Sequence, residues 1–179
     1  MNTSSRRSFA GRRLTNLHNT VSKPDKRRYD VLIADDSDAD RFLLRKAIDH
    51  AASLNAIAEV PDGAGVVAYL RGQGEFSNRR KFPIPDLLLL DLNMPGMDGF
   101  AVLEWLGTRE FHNLTVVVLT GSLQPQDLKR ALDLGAHRFQ VKPRSIEDWH
   151  ATIHVLERYL QGASRPAHST IARLSSSIA

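Results

Sequence analysis

The chain predicts an α/β fold, a doubly wound sheet of five parallel strands with helices on both faces, and three observations carry that reading. Short apolar runs recur, among them Val31-Leu32-Ile33-Ala34, Leu87-Leu88-Leu89-Leu90 and Val116-Val117-Val118-Leu119, the pattern of strands buried on both faces. Between them lie segments with apolar residues at helical spacing. The strand candidates also end on polar or charged residues, at Asp35-Asp36, Asp91, Thr120 and Lys142, and in open parallel sheets ligands gather at the carboxyl ends of the strands.

Taken in order, the pattern places strands at 29–34, 56–60, 86–90, 115–120 and 138–141, with helices near 38–52, 64–72, 99–108, 125–134 and 146–160. Two helix starts carry capping chemistry. Ser37 stands three residues before Asp40, and Ser145 three before Asp148, so each serine can accept from backbone N–H groups of its first turn. Pro125 suits the first turn of the fourth helix, where its missing N–H costs nothing. Gly72 to Pro85, with Gly74, Arg79, Arg80 and Lys81, is a long polar connection, read either as an interaction loop or as a plain solvated one. Trp149, Ile153, Leu156 and Leu160 form the apolar stripe of the last helix.

Composition narrows the function classes. The chain has no cysteine, which removes disulfides, thiol nucleophiles and thiolate metal sites and fits a reducing cytoplasm. No apolar run approaches the roughly 18 residues of a membrane-spanning helix. The net charge of +4 is unevenly placed: residues 1–28 hold eight Lys/Arg against one acidic residue, whereas residues 29–161 carry more acid than base. The basic balance therefore belongs to an arm, including Arg6, Arg7, Arg12, Arg13, Arg27 and Arg28, and not to a domain face, which argues against nucleic acid as a partner. The organisation expected is a basic, disordered arm over 1–28, a domain over 29–161 and a flexible tail over 162–179. The Arg- and Ser-rich start also has the composition of an organelle transit peptide, a weaker reading than a solvated arm.

The residues at the strand ends suggest a chemistry. Asp35, Asp36 and Asp91 come together if the first and third strands are neighbours, and clustered carboxylates repel unless a hard divalent cation, Mg²⁺ above all, relieves them. An Asp carboxylate can attack phosphorus if positive charge neutralises the phosphoryl oxygens, which the metal and Lys142 would supply. The Thr120 hydroxyl can hydrogen-bond a phosphoryl oxygen and so register its arrival.

In order and spacing, Asp35-Asp36, the run from Asp91 through Asn93, Pro95 and Asp98 to Gly99, Thr120-Gly121 and Lys142-Pro143 resemble the motifs of response-regulator receiver domains, over about residues 29–160. The resemblance implies a flavodoxin-like sheet of order 2-1-3-4-5. It implies Asp91 as phosphoacceptor, Asp36 as a direct Mg²⁺ ligand, Asp35 acting on the metal through water, and the Asn93 backbone carbonyl as a further ligand. Lys142 would pair with the phosphoryl group, Pro143 would follow a cis peptide bond, and Phe139 would be an aromatic switch moving with Thr120. Gly121 leaves room for phosphodonor and water. The long connection before the third strand and the run from Asp91 to Pro95 also resemble the stand-alone regulators that serve phytochrome-type and related histidine kinases; their habit of pairing through the fourth helix, fifth strand and fifth helix implies a homodimer through 125–160. With 18 residues after the last helix, output by direct contact is expected.

Two other classes compete. A haloacid-dehalogenase-type phosphatase also starts from an Asp after a strand, but needs a second Asp where this chain has Asn93. A constitutive, unphosphorylated binding module would be expected to lack the motifs present here. His150 and His154, four apart on the last helix, could hold a metal, but the sequence shows no third ligand, and a solvated helix face is the plainer reading.

Overall fold

The computed structural model describes residues 28–121 and 124–162. The basic arm before Arg28 and the tail beyond Gly162 lie outside the described residues. The strands are β1 (Tyr29–Ala34), β2 (Leu54–Val60), β3 (Leu87–Leu90), β4 (Thr115–Thr120) and β5 (Arg138–Val141), and the helices α1 (Asp38–Asp49), α2 (Gly63–Arg71), α3 (Gly99–Gly107), α4 (Pro125–Asp133) and α5 (Ile146–Gly162). All neighbouring strands pair in parallel in the order β2-β1-β3-β4-β5, as predicted.

Alternation along the strands divides the core in two. Leu32, Ala34, Leu88, Leu90, Val116 and Val118 face α2, α3 and α4, while Val31, Ile33, Leu87, Leu89, Val117 and Leu119 face α1 and α5. The three central strands, β1, β3 and β4, thus bury both faces, the reason their sequences are continuous apolar runs, whereas the edge strands β2 and β5 are only partly buried. The stripe of α5 packs into the second core through Trp149, Ile153, Leu156 and Leu160.

Local chemistry sets the boundaries. Ser37 accepts from the Asp40 N–H at 3.2 Å, and Ser145 from the Asp148 N–H at 3.1 Å, so both expected caps form. Asp62 and Asp98, which the sequence reading passed over, cap α2 and α3 through the N–H groups of Gly65 and Ala101, each at 2.7 Å. The second strand starts at Leu54 and not at Ala56, because Leu54 is fully buried. Asp86 falls outside β3; its carboxylate accepts from the Asp30 N–H at 3.0 Å.

The connection between α2 and β3 is largely exposed but carries an aromatic cluster of its own. It contains a short 3₁₀ turn (Gly74–Ser77), and the rings of Tyr69, Phe76 and Phe82 stand 5.0 to 6.1 Å apart. The Tyr69 hydroxyl donates to the Pro83 carbonyl, and Arg79 donates to those of Leu70 and Phe82. Much of the connection is solvated, as one of the two readings expected, but its aromatic residues, spread among charges in the sequence, collect into a small satellite core.

Candidate functional site at the carboxyl edge of the sheet

The order of the strands makes the site. β1 and β3 pair through Ala34 and Leu90, so the residues following them, Asp35 and Asp91, meet at one edge. The Asp91 N–H donates to the Ala34 carbonyl at 2.8 Å, and the Asp35 N–H to the Val60 carbonyl at 3.1 Å. Thr120 pairs with Val141 at the same edge, and the Lys142 N–H donates to the Thr120 carbonyl at 2.8 Å. Every residue singled out at a strand end therefore arrives in one pocket.

Two glycines fix the segment after β3. A Cβ on Gly99 would lie 2.3 Å from the Asp91 carbonyl oxygen, and one on Gly63 would lie 2.5 Å from the Met97 carbonyl oxygen. The loop from Asp91 to Gly99 is thus clamped between α3 and the start of α2. Gly96, at φ +72°, follows Pro95, the pairing that a type II turn requires.

Within the pocket Asp35, Asp91 and Thr120 are buried, while Asp36 and Asn93 are exposed. The Lys142 ammonium donates to Asp91 Oδ2 at 2.7 Å and to Asp40 Oδ2 at 2.9 Å, and pairs with Asp35 Oδ2 at 2.7 Å. Asp35 Oδ1 accepts from the Ser37 N–H at 3.0 Å, and Asp91 Oδ1 from the Asn93 N–H at 3.2 Å. The Asn93 side-chain amide approaches Thr120 Oγ1 at 3.4 Å. Burial raises the pKa of Asp35, with Lys142 opposing. Burial disfavours the charge on Lys142, but its hydrogen bonds to Asp35, Asp91 and Asp40 outweigh that and raise its pKa above the usual lysine value.

Asp40 is the member that the sequence reading missed. It was recognised as the acidic partner of a cap, but its carboxylate turns away from the helix start to the ammonium. The signal lay in its spacing, one helical turn beyond Asp36, which returns a side chain towards the strand end.

The donor set fits a hard divalent cation. One carboxylate oxygen from each of Asp35, Asp36 and Asp91 lies within 4.8 Å of the others, and oxygen ligands at such spacing suit Mg²⁺ or Mn²⁺. One expectation is corrected: the peptide bond before Pro143 is trans, as are all those described, in line with the intrinsic preference of about 0.5 to 1 kcal/mol for trans before proline. Phe139 is half-buried and packs against the core beneath α4.

Comparison with known proteins agrees with this geometry. The family model described as the response regulator receiver domain matches residues 31–154. The response regulator Rcp1 of Synechocystis sp. is 31% identical over 139 residues, covering 76% of this chain and 92% of its own length. Among solved structures, the phosphorylated cyanobacterial phytochrome response regulator RcpA superposes with a TM-score of 0.68 at 28% identity, covering 78% of this chain and 99% of its own. The Mn²⁺-bound form of Rcp1 gives 0.65 at 30% identity, with the same coverage. No described helix is long and apolar enough to cross a membrane.

Proposed function

Because the chain belongs to the response-regulator receiver domains of two-component systems, we propose that Asp91 is its phosphoacceptor and that the residues around it divide the work of phosphoryl transfer. The observation that carries this reading is the Lys142 ammonium held against the Asp91 carboxylate at 2.7 Å. An Asp91 oxygen attacks the phosphoryl group of a kinase phosphohistidine; the N–P bond breaks, an acyl phosphate forms, and the imidazole leaves. Hydrolysis later returns the carboxylate and releases inorganic phosphate. We assign the chain no turnover beyond this cycle on itself.

Each neighbour has a part. Lys142 neutralises phosphoryl charge as it accumulates. The Asn93 N–H holds one oxygen of Asp91 and so fixes the orientation of the carboxylate. Thr120 offers its hydroxyl to a phosphoryl oxygen, and Phe139, two residues from the end of the paired strand, follows it as the switch. Asp36, Asp91 and the Asn93 carbonyl would hold Mg²⁺, with Asp35 acting through a bound water. The ion would supply charge neutralisation and in-line alignment of the phosphoryl group. Approach is open at Gly121, where an added Cβ would meet nothing within 4 Å.

The phosphorylated state signals through surfaces of the domain itself. Leu128 and Leu132 of α4, Val141 of β5 and Val155 of α5 are exposed, which supports a homodimer through residues 125–160. The similarity to RcpA and Rcp1 supports a phytochrome-type histidine kinase as donor and a cytoplasmic setting. Intact mass after incubation with acetyl phosphate and Mg²⁺ tests the reading. One phosphoryl group is expected, absent with Asp91→Asn and with a chelator; a folded, metal-binding protein that gains none would overturn it and leave a constitutive binding module.

A further inference from the structure

Away from the acidic pocket, the structure gathers histidines that the sequence keeps a hundred residues apart. His50 caps the end of α1, a helix of about 18 Å, opposite the end that joins the pocket. Its ring stands 5.1 Å from that of His150 on α5, with the planes inclined by 50°. Both line a surface groove with Ala47, Ala51, Ile153, His154 and Glu157. Another helix thus adds His50 to the His150 and His154 pair; as the side chains stand, no three donors of the groove lie within 4.8 Å of one another, so an ion would gather them by side-chain rotation.

We propose that this groove is a transition-metal site, taking a divalent ion of the zinc or nickel class through His50 and His150, with His154 and Glu157 completing the coordination. The ring separation fits: two imidazoles on a tetrahedral ion, each with its nitrogen at about 2.1 Å, place their centroids about 5 Å apart. His50 is also prepared as a ligand. Its Nδ1 lies 2.8 Å from the Lys46 carbonyl oxygen, and donating there leaves the Nε2 lone pair outward, the arrangement in which a backbone carbonyl orients a metal-bound histidine. Glu157 is held by the Ser53 N–H and hydroxyl at 2.7 and 2.8 Å, both on Oε1. Its Oε2 stands 3.8 Å from His154 Nδ1. His154 is exposed and reaches the ion by side-chain rotation.

The two sites divide metals by ligand chemistry. Carboxylates and carbonyls suit Mg²⁺, whereas imidazoles favour zinc, nickel and copper. Zinc bound here would tie α1 to α5 without touching the phosphoacceptor.

The test is calorimetric titration of the full chain with Zn²⁺ under saturating Mg²⁺, repeated on His50→Gln, His150→Gln and Asp91→Asn, with Co²⁺ absorbance as a second readout of imidazole ligation. We expect one Zn²⁺ per chain, an affinity lower by about tenfold or more in each histidine variant, and no change in Asp91→Asn. Loss of the Co²⁺ band should accompany loss of affinity. All three positions are read in proteins whose folding is checked by circular dichroism. Zinc affinity that survives both histidine substitutions, or that falls only with Asp91→Asn, overturns the proposal.

Discussion

The two halves of the sheet are built differently. β1 and β3 are buried along nearly their whole length and α1 sinks Leu44, Ala47 and Ile48 into the core, whereas α4 buries only Ala131 and β5 has no buried residue. The proposed nucleophile Asp91 stands on the well-packed half, while the ammonium that pairs with it and the proposed switch Phe139 stand on the open half. The open half can shift at little cost in packing, because few of its side chains are locked. Lys142 spans the divide, rooted after β5 yet bonded to carboxylates that follow β1 and β3 or lie on α1. Under the proposed mechanism, a phosphoryl group on Asp91 would be felt first by the half that is free to respond.

The largest test of the contrast is a pair of truncations. Leu89→Ala, at a position 1% exposed, should cost about 2 to 5 kcal/mol. Leu132→Ala, at a position 45% exposed, should stay within about 0.5 kcal/mol. Urea unfolding of both variants decides; equal losses would dissolve the distinction between the halves. A second pair lies inside the pocket. Gly99→Ala drives a Cβ into the Asp91 carbonyl and should destabilise by about 1 to 3 kcal/mol while slowing phosphoryl uptake from acetyl phosphate. Gly121→Ala meets open space and should leave stability nearly unchanged. Destabilisation by Gly121→Ala as large as that by Gly99→Ala would show that the acceptor loop is not the clamped element.

These pairs also mark what the sequence could reveal. Strands buried on both faces write themselves as apolar runs, so the order of elements and the residues ending each strand were legible, and the pocket followed. Contacts made by rotation of a side chain out of its local motif were not. Asp40 matched a cap and is a partner of Lys142; His50 and His150 are a hundred residues apart and share a groove. The aromatic rings of Tyr69, Phe76 and Phe82 were hidden by the charges between them. A peptide bond before proline has no local sequence signature strong enough to fix its isomer, so the expectation before Pro143 rested on family resemblance alone, and the bond there is trans.

Asp40 sharpens the contrast because it ties the two halves. Asp40→Asn removes one negative charge beside the proposed cation site and leaves Lys142 to Asp35 and Asp91 alone, so the ammonium competes more strongly with the cation. Mg²⁺ affinity should fall about fivefold, the scale of one partly screened charge near a divalent ion, in a titration followed by NMR or fluorescence. An unchanged or tighter affinity would mean that Asp40 merely shields the ammonium from solvent.

The smallest effect expected is a pH dependence confined to the open half. The Val116 N–H donates to His137 Nδ1 at 3.1 Å, and the His137 N–H donates to the Val116 carbonyl at 2.8 Å, so the turn leading into β5 depends on an unprotonated ring nitrogen. Burial lowers the pKa of His137. The unfolded chain then takes up a proton before the folded one does, as pH falls through about 6.5. Stability contributed here is fully present above that pH and declines as the medium is acidified towards the lower folded value. His137→Gln, whose amide accepts without titrating, should lose less stability than the native chain between neutral and mildly acidic urea titrations, since the other histidines contribute equally to both. Protection of the Val116 amide against hydrogen exchange, taken relative to its intrinsic rate at each pH, should fall over the same interval in the native chain alone. If both proteins decline in parallel, the acid response belongs to the other histidines and the edge at β5 is not the element that pH loosens.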